Sequence, residues 1–161
     1  MAISVKVTSN QKQVSKKFKR LQSVLPRIID KGVKQAGFSL LDRIKTLTQK
    51  GVDFRERPFA PYSEGYLKKL NKEGKKTAVD LFYTGRMLGS LTPSSSVKKS
   101  GKHKVSISFT NSQMRQRALF NQVLGEPKRE FFGFNNKTEK IINKQFNRFV
   151  EQELKKFRIW A

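Results

Sequence analysis

The 161-residue chain has no cysteine and a single histidine, His103. Without thiols there is no disulfide scaffold, no thiol nucleophile and no Cys-based zinc site. One imidazole also excludes a His-rich metal site within one chain. Acidic side chains are scarce: 12 Asp+Glu stand against 35 Lys+Arg, a formal net charge of +23. No run reaches the ~18 apolar residues that a membrane span needs. The first residues, MAISVKVTSNQK, lack the charged start and long apolar stretch of a secretory signal. These absences point to a soluble, strongly basic, intracellular protein with acidic partners, no membrane and no cofactor.

What is present is ample core material. Hydrophobic residues make up 36% of the chain and 13 residues are Phe, so the charge does not imply disorder. The length suits one domain over 1–161, with residues 1–9 as an N-terminal strand or arm. A chain of this size buries ~70% of its unfolded surface. The positive excess is spread along the chain, +10 over 1–50, +5 over 51–100 and +8 over 101–161, so no basic tail hangs from a neutral body. Two short blocks stand out: Lys16-Lys17-Phe18-Lys19-Arg20, and the cluster Lys68, Lys69, Lys72, Lys75 and Lys76. Such runs are either solvated faces or surfaces for DNA or an acidic partner.

Ile3, Val5 and Val7 alternate with polar residues, the pattern of a short strand. Ser9 or Asn10 can cap a helix, and Val14, Phe18, Leu21 and Leu25 form one apolar stripe. Pro26 then interrupts the backbone and opens a second helix, with Ile29, Val33, Ala36, Leu40, Ile44 and Leu47 as its stripe. Gly32 and Gly37 weaken that helix by ~1 kcal/mol each, and are either tolerated or used for close helix–helix approach. Gly51 is a natural left-handed cap.

Residues 51–80 read as an extended loop region with a short helix at 64–70, capped by Ser63. Pro58 and Pro61 exclude regular structure in its first part. Phe54, Phe59 and Tyr62 are costly to leave wet. They, with Arg57, are the candidates for pinning the loop to the body or to a neighbouring subunit. Thr84 can cap a short helix with Met87, Leu88 and Leu91 inward, and the run 92–96 breaks it. Strands at 96–99 and 104–110 flank Ser100-Gly101-Lys102 as a hairpin. Residues 114–124 read as a helix, with Met114, Ala118 or Leu119, and Val123 or Leu124 inward. A last helix starts at Thr138, with Ile142, Phe146, Phe149 or Val150, Leu154 and Phe157 as its stripe. The predicted class is α+β: long N-terminal and C-terminal helices packed on a small antiparallel β-sheet.

No constellation for catalysis emerges. His103, between Lys102 and Lys104, reads as an exposed loop histidine. There is no nucleophile elbow, phosphate-cradling loop or metal-ligand spacing, and the carboxylates are scattered among more numerous cations. No catalytic, cofactor-binding or metal residue is assigned, and no enzyme is expected. Non-specific nucleic-acid binding by an accessory protein is the alternative reading, because phosphate contacts scale with Lys and Arg. The aromatics, however, sit at core-facing positions more than in base-stacking patterns.

Three segments in order carry a resemblance: Arg57-Pro58-Phe59-Ala60-Pro61-Tyr62-Ser63; Leu81 through Leu91, containing Thr84-Gly85-Arg86-Met87; and Phe120-Asn121-Gln122 to Gly125, followed by Arg129-Glu130-Phe131-Phe132-Gly133. Over residues 25–157 the chain resembles the Mu-like phage virion morphogenesis family, the tail completion proteins. The resemblance implies a non-enzymatic protein at the head–tail neck of the virion. It implies copies of itself in a ring, a hexamer in the virion, neighbouring neck, connector and tail proteins, and genomic DNA passing through the axial channel. Within it, Gly85 lets the backbone pass closely, Arg129 pairs with carboxylates or carbonyls, and Phe131, Phe132 and Phe134 fill the gap between sheet and last helix.

Charge adds a constraint. Six copies at +23 each far exceed the ~24 charges on ~40 Å of duplex. Most of the basic surface is therefore expected to face acidic neighbours, and the isolated protein to be monomeric or weakly associated.

Overall fold

A computed structural model describes residues 10–156; the expected strand at 3–7 and the stripe position Phe157 lie outside the described residues. The first element is one unbroken helix, α1 (Gln11–Gln49), with Pro26 inside it. The sequence reading placed two helices there, and the correction has a physical reason. Val14, Phe18, Leu21 and Leu25 continue in phase into Ile28 and Gly32, so a single apolar stripe runs past the proline. Pro26 itself is exposed, on the side where the carbonyl it leaves without a donor can reach water.

The element order continues with α2 (Glu64–Lys72), α3 (Arg86–Gly89), α4 (Pro93–Ser96), β1 (Val97–Gly101), β2 (Lys104–Ile107), α5 (Ser112–Leu119), a π-helical turn (Phe120–Leu124) and α6 (Asn136–Lys156). β1 and β2 form a two-stranded antiparallel sheet, with Val97 opposite Ile107 and Lys99 opposite Val105. This is the α+β arrangement expected, long helices on a small antiparallel sheet.

α1 is wedged between α6 on one flank and the hairpin on the other, and its glycines mark both contacts. A Cβ on Gly32 would lie 2.8 Å from the Phe146 ring of α6, and one on Gly37 would lie 2.8 Å from Val97 of β1. Close helix–helix approach therefore holds at Gly32, while at Gly37 the approaching element is the hairpin. Being flanked on two sides also shifts the buried face. Ile28, Leu41, Ile44 and Leu47 are buried, whereas the predicted Ile29, Val33, Ala36 and Leu40 are half-buried.

The hairpin turn differs from the one expected. Gly101 belongs to β1, and the left-handed residue is His103 (φ +54°). His103 is held rather than loose: its backbone N–H and Nδ1 lie 3.3 and 2.8 Å from Asp30 Oδ1 on α1, and Lys99 Nζ donates to Asp30 Oδ2 at 2.7 Å. Hydrogen bonds from Lys99 and His103 hold the Asp30 carboxyl below the usual carboxylate range. The expected exposed loop histidine is a half-buried clasp between hairpin tip and helix.

Residues 92–96, expected only as a break, make the short turn α4, where Thr92 Oγ1 accepts from the N–H of Ser95 at 3.2 Å. α6 begins before Thr138, because Asn135 Oδ1 is its cap, accepting from the Thr138 N–H at 2.8 Å. The core gathers Leu41 and Ile44 of α1, Leu88 of α3, Leu91, Val97, Phe109, and Met114 and Ala118 of α5 around the fully buried Phe131. Phe131 meets Phe109 and Phe132 edge-on, at 6.4 and 6.0 Å between ring centroids. Phe134, expected to fill the same gap, is 56% exposed: it lies beyond the buried pair.

Candidate functional site

The loop after α1 is tied down through one carboxylate. Asp53 is 6% exposed and accepts from the N–H groups of Arg55 and Arg57, both at 2.8 Å, and from Arg57 Nε at 2.9 Å. Burial alone would raise its pKa; the hydrogen bonds from Arg57 and Arg55 outweigh that and hold it below the usual range. Glu56 sits at φ +65° and is clasped by Arg43 of α1 and Lys137 of α6. Arg55 pairs with Glu130, and its guanidinium lies 4.2 Å over the Phe54 ring.

Of the four residues expected to pin the loop or meet a partner, Phe59 is a core residue, 8% exposed. Phe54 is half-buried and lies against Gly133, where a Cβ would come within 2.9 Å of its ring. Arg57 shares its guanidinium with Asp53 while its side chain stays 65% exposed. Tyr62 is half-buried and belongs to a cleft.

That cleft, about 500 Å³, is lined by all three segments that carry the family resemblance: Tyr62 and Ser63 from the first, Leu81, Tyr83, Thr84, Gly85 and Met87 from the second, Phe120, Asn121 and Arg129 from the third. Arg129 locks the third to the first. Its Nε and Nη2 donate to the carbonyls of Ala60 and Pro61 at 3.2 and 3.0 Å, and the guanidinium lies 5.0 Å from the Tyr62 ring centroid. The carbonyl partner expected for Arg129 is thus present.

The backbone around the cleft is irregular. Leu81 is left-handed at φ +54° and Gly85 at φ +69°. A side chain at Gly85 would also collide with Phe82, 2.7 Å from the added Cβ. Gly85, not Thr84, occupies the cap position of α3, and no side chain caps it. After α5 the chain widens into the π-helical turn, closed by the Gly125 N–H to the Phe120 carbonyl at 2.6 Å. The wide turn shifts the helical phase after Ala118. Of the alternatives Ala118 or Leu119, Ala118 is the inward one and Leu119 is 48% exposed. Neither Val123 nor Leu124, one of which was expected inward, is buried (48% and 64% exposed), and Phe120 is 60% exposed. Gln122 anchors the turn by exchanging two hydrogen bonds with the Phe132 backbone, at 2.9 and 3.1 Å.

Three tyrosines form the cleft's far wall. Tyr62 and Tyr66 meet edge-on at 4.8 Å, and Tyr66 and Tyr83 are tilted against each other at 6.4 Å. Burial raises the Tyr62 pKa above the ordinary phenol range, with Tyr66 and Asp80 adding to it, so its hydroxyl stays neutral. The Tyr83 hydroxyl donates to Glu73 Oε2 at 2.8 Å. The lysine cluster begins here and divides in two. Lys75 lies 3.0 Å from Glu73 and 3.4 Å over the Tyr83 ring, and Lys69 lies 4.0 Å from Glu73. Hydrogen bonds from Tyr83 and Lys75 lower the Glu73 pKa; the same contacts with Glu73 and Tyr83 raise that of Lys75. Lys68, Lys72 and Lys76 point to solvent.

Sequence reasoning did not assign Tyr66, Tyr83 or Arg117 to a site, and met Phe120 only as part of the third resembling segment. One signal was available. The chain has three tyrosines against 13 phenylalanines, and all three fall within residues 62–83 and meet in this cleft. Among the described residues no group of three or more His, Asp or Glu could hold a metal ion, and no helix is long and apolar enough to cross a membrane. No family model, curated protein or solved structure matches the chain.

Proposed function

We propose that this chain is a structural virion protein of a tailed phage, a subunit of the neck or tail-completion ring that joins tail to head around the DNA channel. It is made in the host cytoplasm and ends in the head–tail neck region. The observation that carries the reading is the convergence of the three resembling segments on one cleft, where Arg129 bonds to Ala60 across 69 residues of chain. Arg129, the hub of that convergence, holds two backbone carbonyls and one aromatic ring. Its work is to hold the fold together, as a non-enzymatic building block requires. The net charge of +23 supports attachment to acidic neighbouring subunits, with DNA in the channel as a sequence-independent neighbour.

Mass spectrometry of gradient-purified particles tests this directly. The chain should be present in stoichiometric amount, and deleting its gene should leave filled heads and free tails that do not join. Absence from particles, or normal joining without it, overturns the reading. Sedimentation at ~0.15 M salt should give a monomer or weak associations. A steep salt slope on duplex DNA with a defined footprint would favour a nucleic-acid-binding accessory protein instead.

A further inference from the structure

The cleft combines features that simple fold maintenance does not call for. Leu81 holds a left-handed backbone (φ +54°) on one side, and a π-helical turn forms the other. Both are conformations that persist where something else depends on them, and they cluster at ligand clamps. The Arg117 side chain lies at the rim, exposed, and among the described residues its guanidinium makes no hydrogen bond or ion pair. Against Arg117 and Arg129 the lining holds one carboxylate, Glu126. The lining is largely apolar and aromatic, with Met87 beside the tyrosine wall, and Phe120 extends it outward at 60% exposure.

We infer that this cleft is the docking site for an acidic segment of a neighbouring virion protein, anchored by an aromatic side chain. The anchor enters between the tyrosines and Phe120, and flanking carboxylates meet Arg117 and the outer face of Arg129. The inference rests on the neck-protein reading and names the chemistry of one partner. Charge selects the occupant. A second copy would bring +23 against a basic rim. A duplex ~20 Å across is too wide for a cleft of about 500 Å³. Leu119 and Leu124, next to the cleft's Phe120 turn and 48% and 64% exposed, add aliphatic surface that a protein side chain can bury.

The test uses the full chain and a fluorescein-labelled Asp-Glu-Phe-Glu-Asp peptide at ~0.15 M salt, followed by anisotropy and by amide shifts. Binding should perturb Tyr62, Tyr66 and Asn121. It should weaken about tenfold with Arg117→Glu, with Arg117→Ala intermediate, and about tenfold when the peptide Phe becomes Ala. Lys68→Glu with Lys72→Glu should change it less than about twofold. No binding, equal loss from the lysine pair, or an oligothymidylate ten-mer that binds with the same shifts would each overturn the inference. The two readings fail separately: a chain missing from purified particles sinks the neck assignment, whereas a chain present in particles whose cleft ignores the peptide sinks only the docking site.

Discussion

Residues 11–25 and 28–48 of α1 carry the same apolar periodicity but meet different fates. Ile28, Leu41 and Ile44 are at most 3% exposed, whereas Val14 is 39% and Phe18 57% exposed. The second stretch is sandwiched by α6 and the hairpin. The first runs outward past them with lysines around it. An apolar stripe at 3.6 spacing thus reports that a helix will form and which side prefers cover. It does not report whether the chain itself supplies the cover. Stability is concentrated in the second stretch, and surface for other molecules is concentrated in the first.

The sharpest way to break this contrast is truncation on each side. Leu41→Ala and Ile44→Ala, at residues 2% exposed, should each lose ~2–5 kcal/mol, while Phe18→Ala should lose less than ~1 kcal/mol. Urea denaturation followed by circular dichroism measures all three, and comparable losses would mean that the outward stretch is packed after all. The loop clamp comes next. Asp53→Ala leaves the N–H groups of Arg55 and Arg57 without their acceptor and should lose ~1–3 kcal/mol. The sign of its pH dependence follows from the lowered pKa. The contribution is complete above the unfolded value of ~3.9 and disappears as pH falls through the lower folded value. Denaturation midpoints between pH 5 and 2 should therefore fall less steeply for Asp53→Asn than for the unsubstituted chain.

The smallest effects test packing against propensity. In a helix Gly→Ala gains ~1 kcal/mol from propensity alone. At Gly65 of α2 nothing lies within 4 Å of the added Cβ, so Gly65→Ala should stabilise by ~0.5–1 kcal/mol. At Gly32 the added Cβ lies 2.8 Å from Phe146, and overpacking of ~1–3 kcal/mol should reverse the sign. A thermal melt of each variant decides, and stabilisation at Gly32 would show that the α1–α6 contact yields.

Much of the architecture was readable from residue order. The long terminal helices, the hairpin and the inward Met87, Leu88 and Leu91 follow from local periodicity and size, while at Gly32 close approach was one of two open readings and the fold selects it. What was not readable depended on continuity across a proline or on contacts further along the chain. Pro26 looks like a terminus unless one sees that Leu25 and Ile28 share a face. The His103 clasp needs Asp30, 73 residues away. The outward turn of Leu119 to Leu124 needs the Gln122–Phe132 exchange to hold one wide helical turn open. The cleft itself was half legible. Its motif segments were recognised as three separate strings, and only the fold shows that they share one cavity.

Pro26 divides α1 without breaking it. With no N–H at that position, the ladder of backbone bonds has a missing rung between the outward turns and the turns clamped by the body. Opening of residues 11–25 can therefore stop at the proline instead of propagating into the core. Amides on that side should exchange with deuterium far sooner than those of residues 28–48. On that outcome the long helix would act as two cooperative units, a firm spindle and a handle that can be seized while the spindle stays in place.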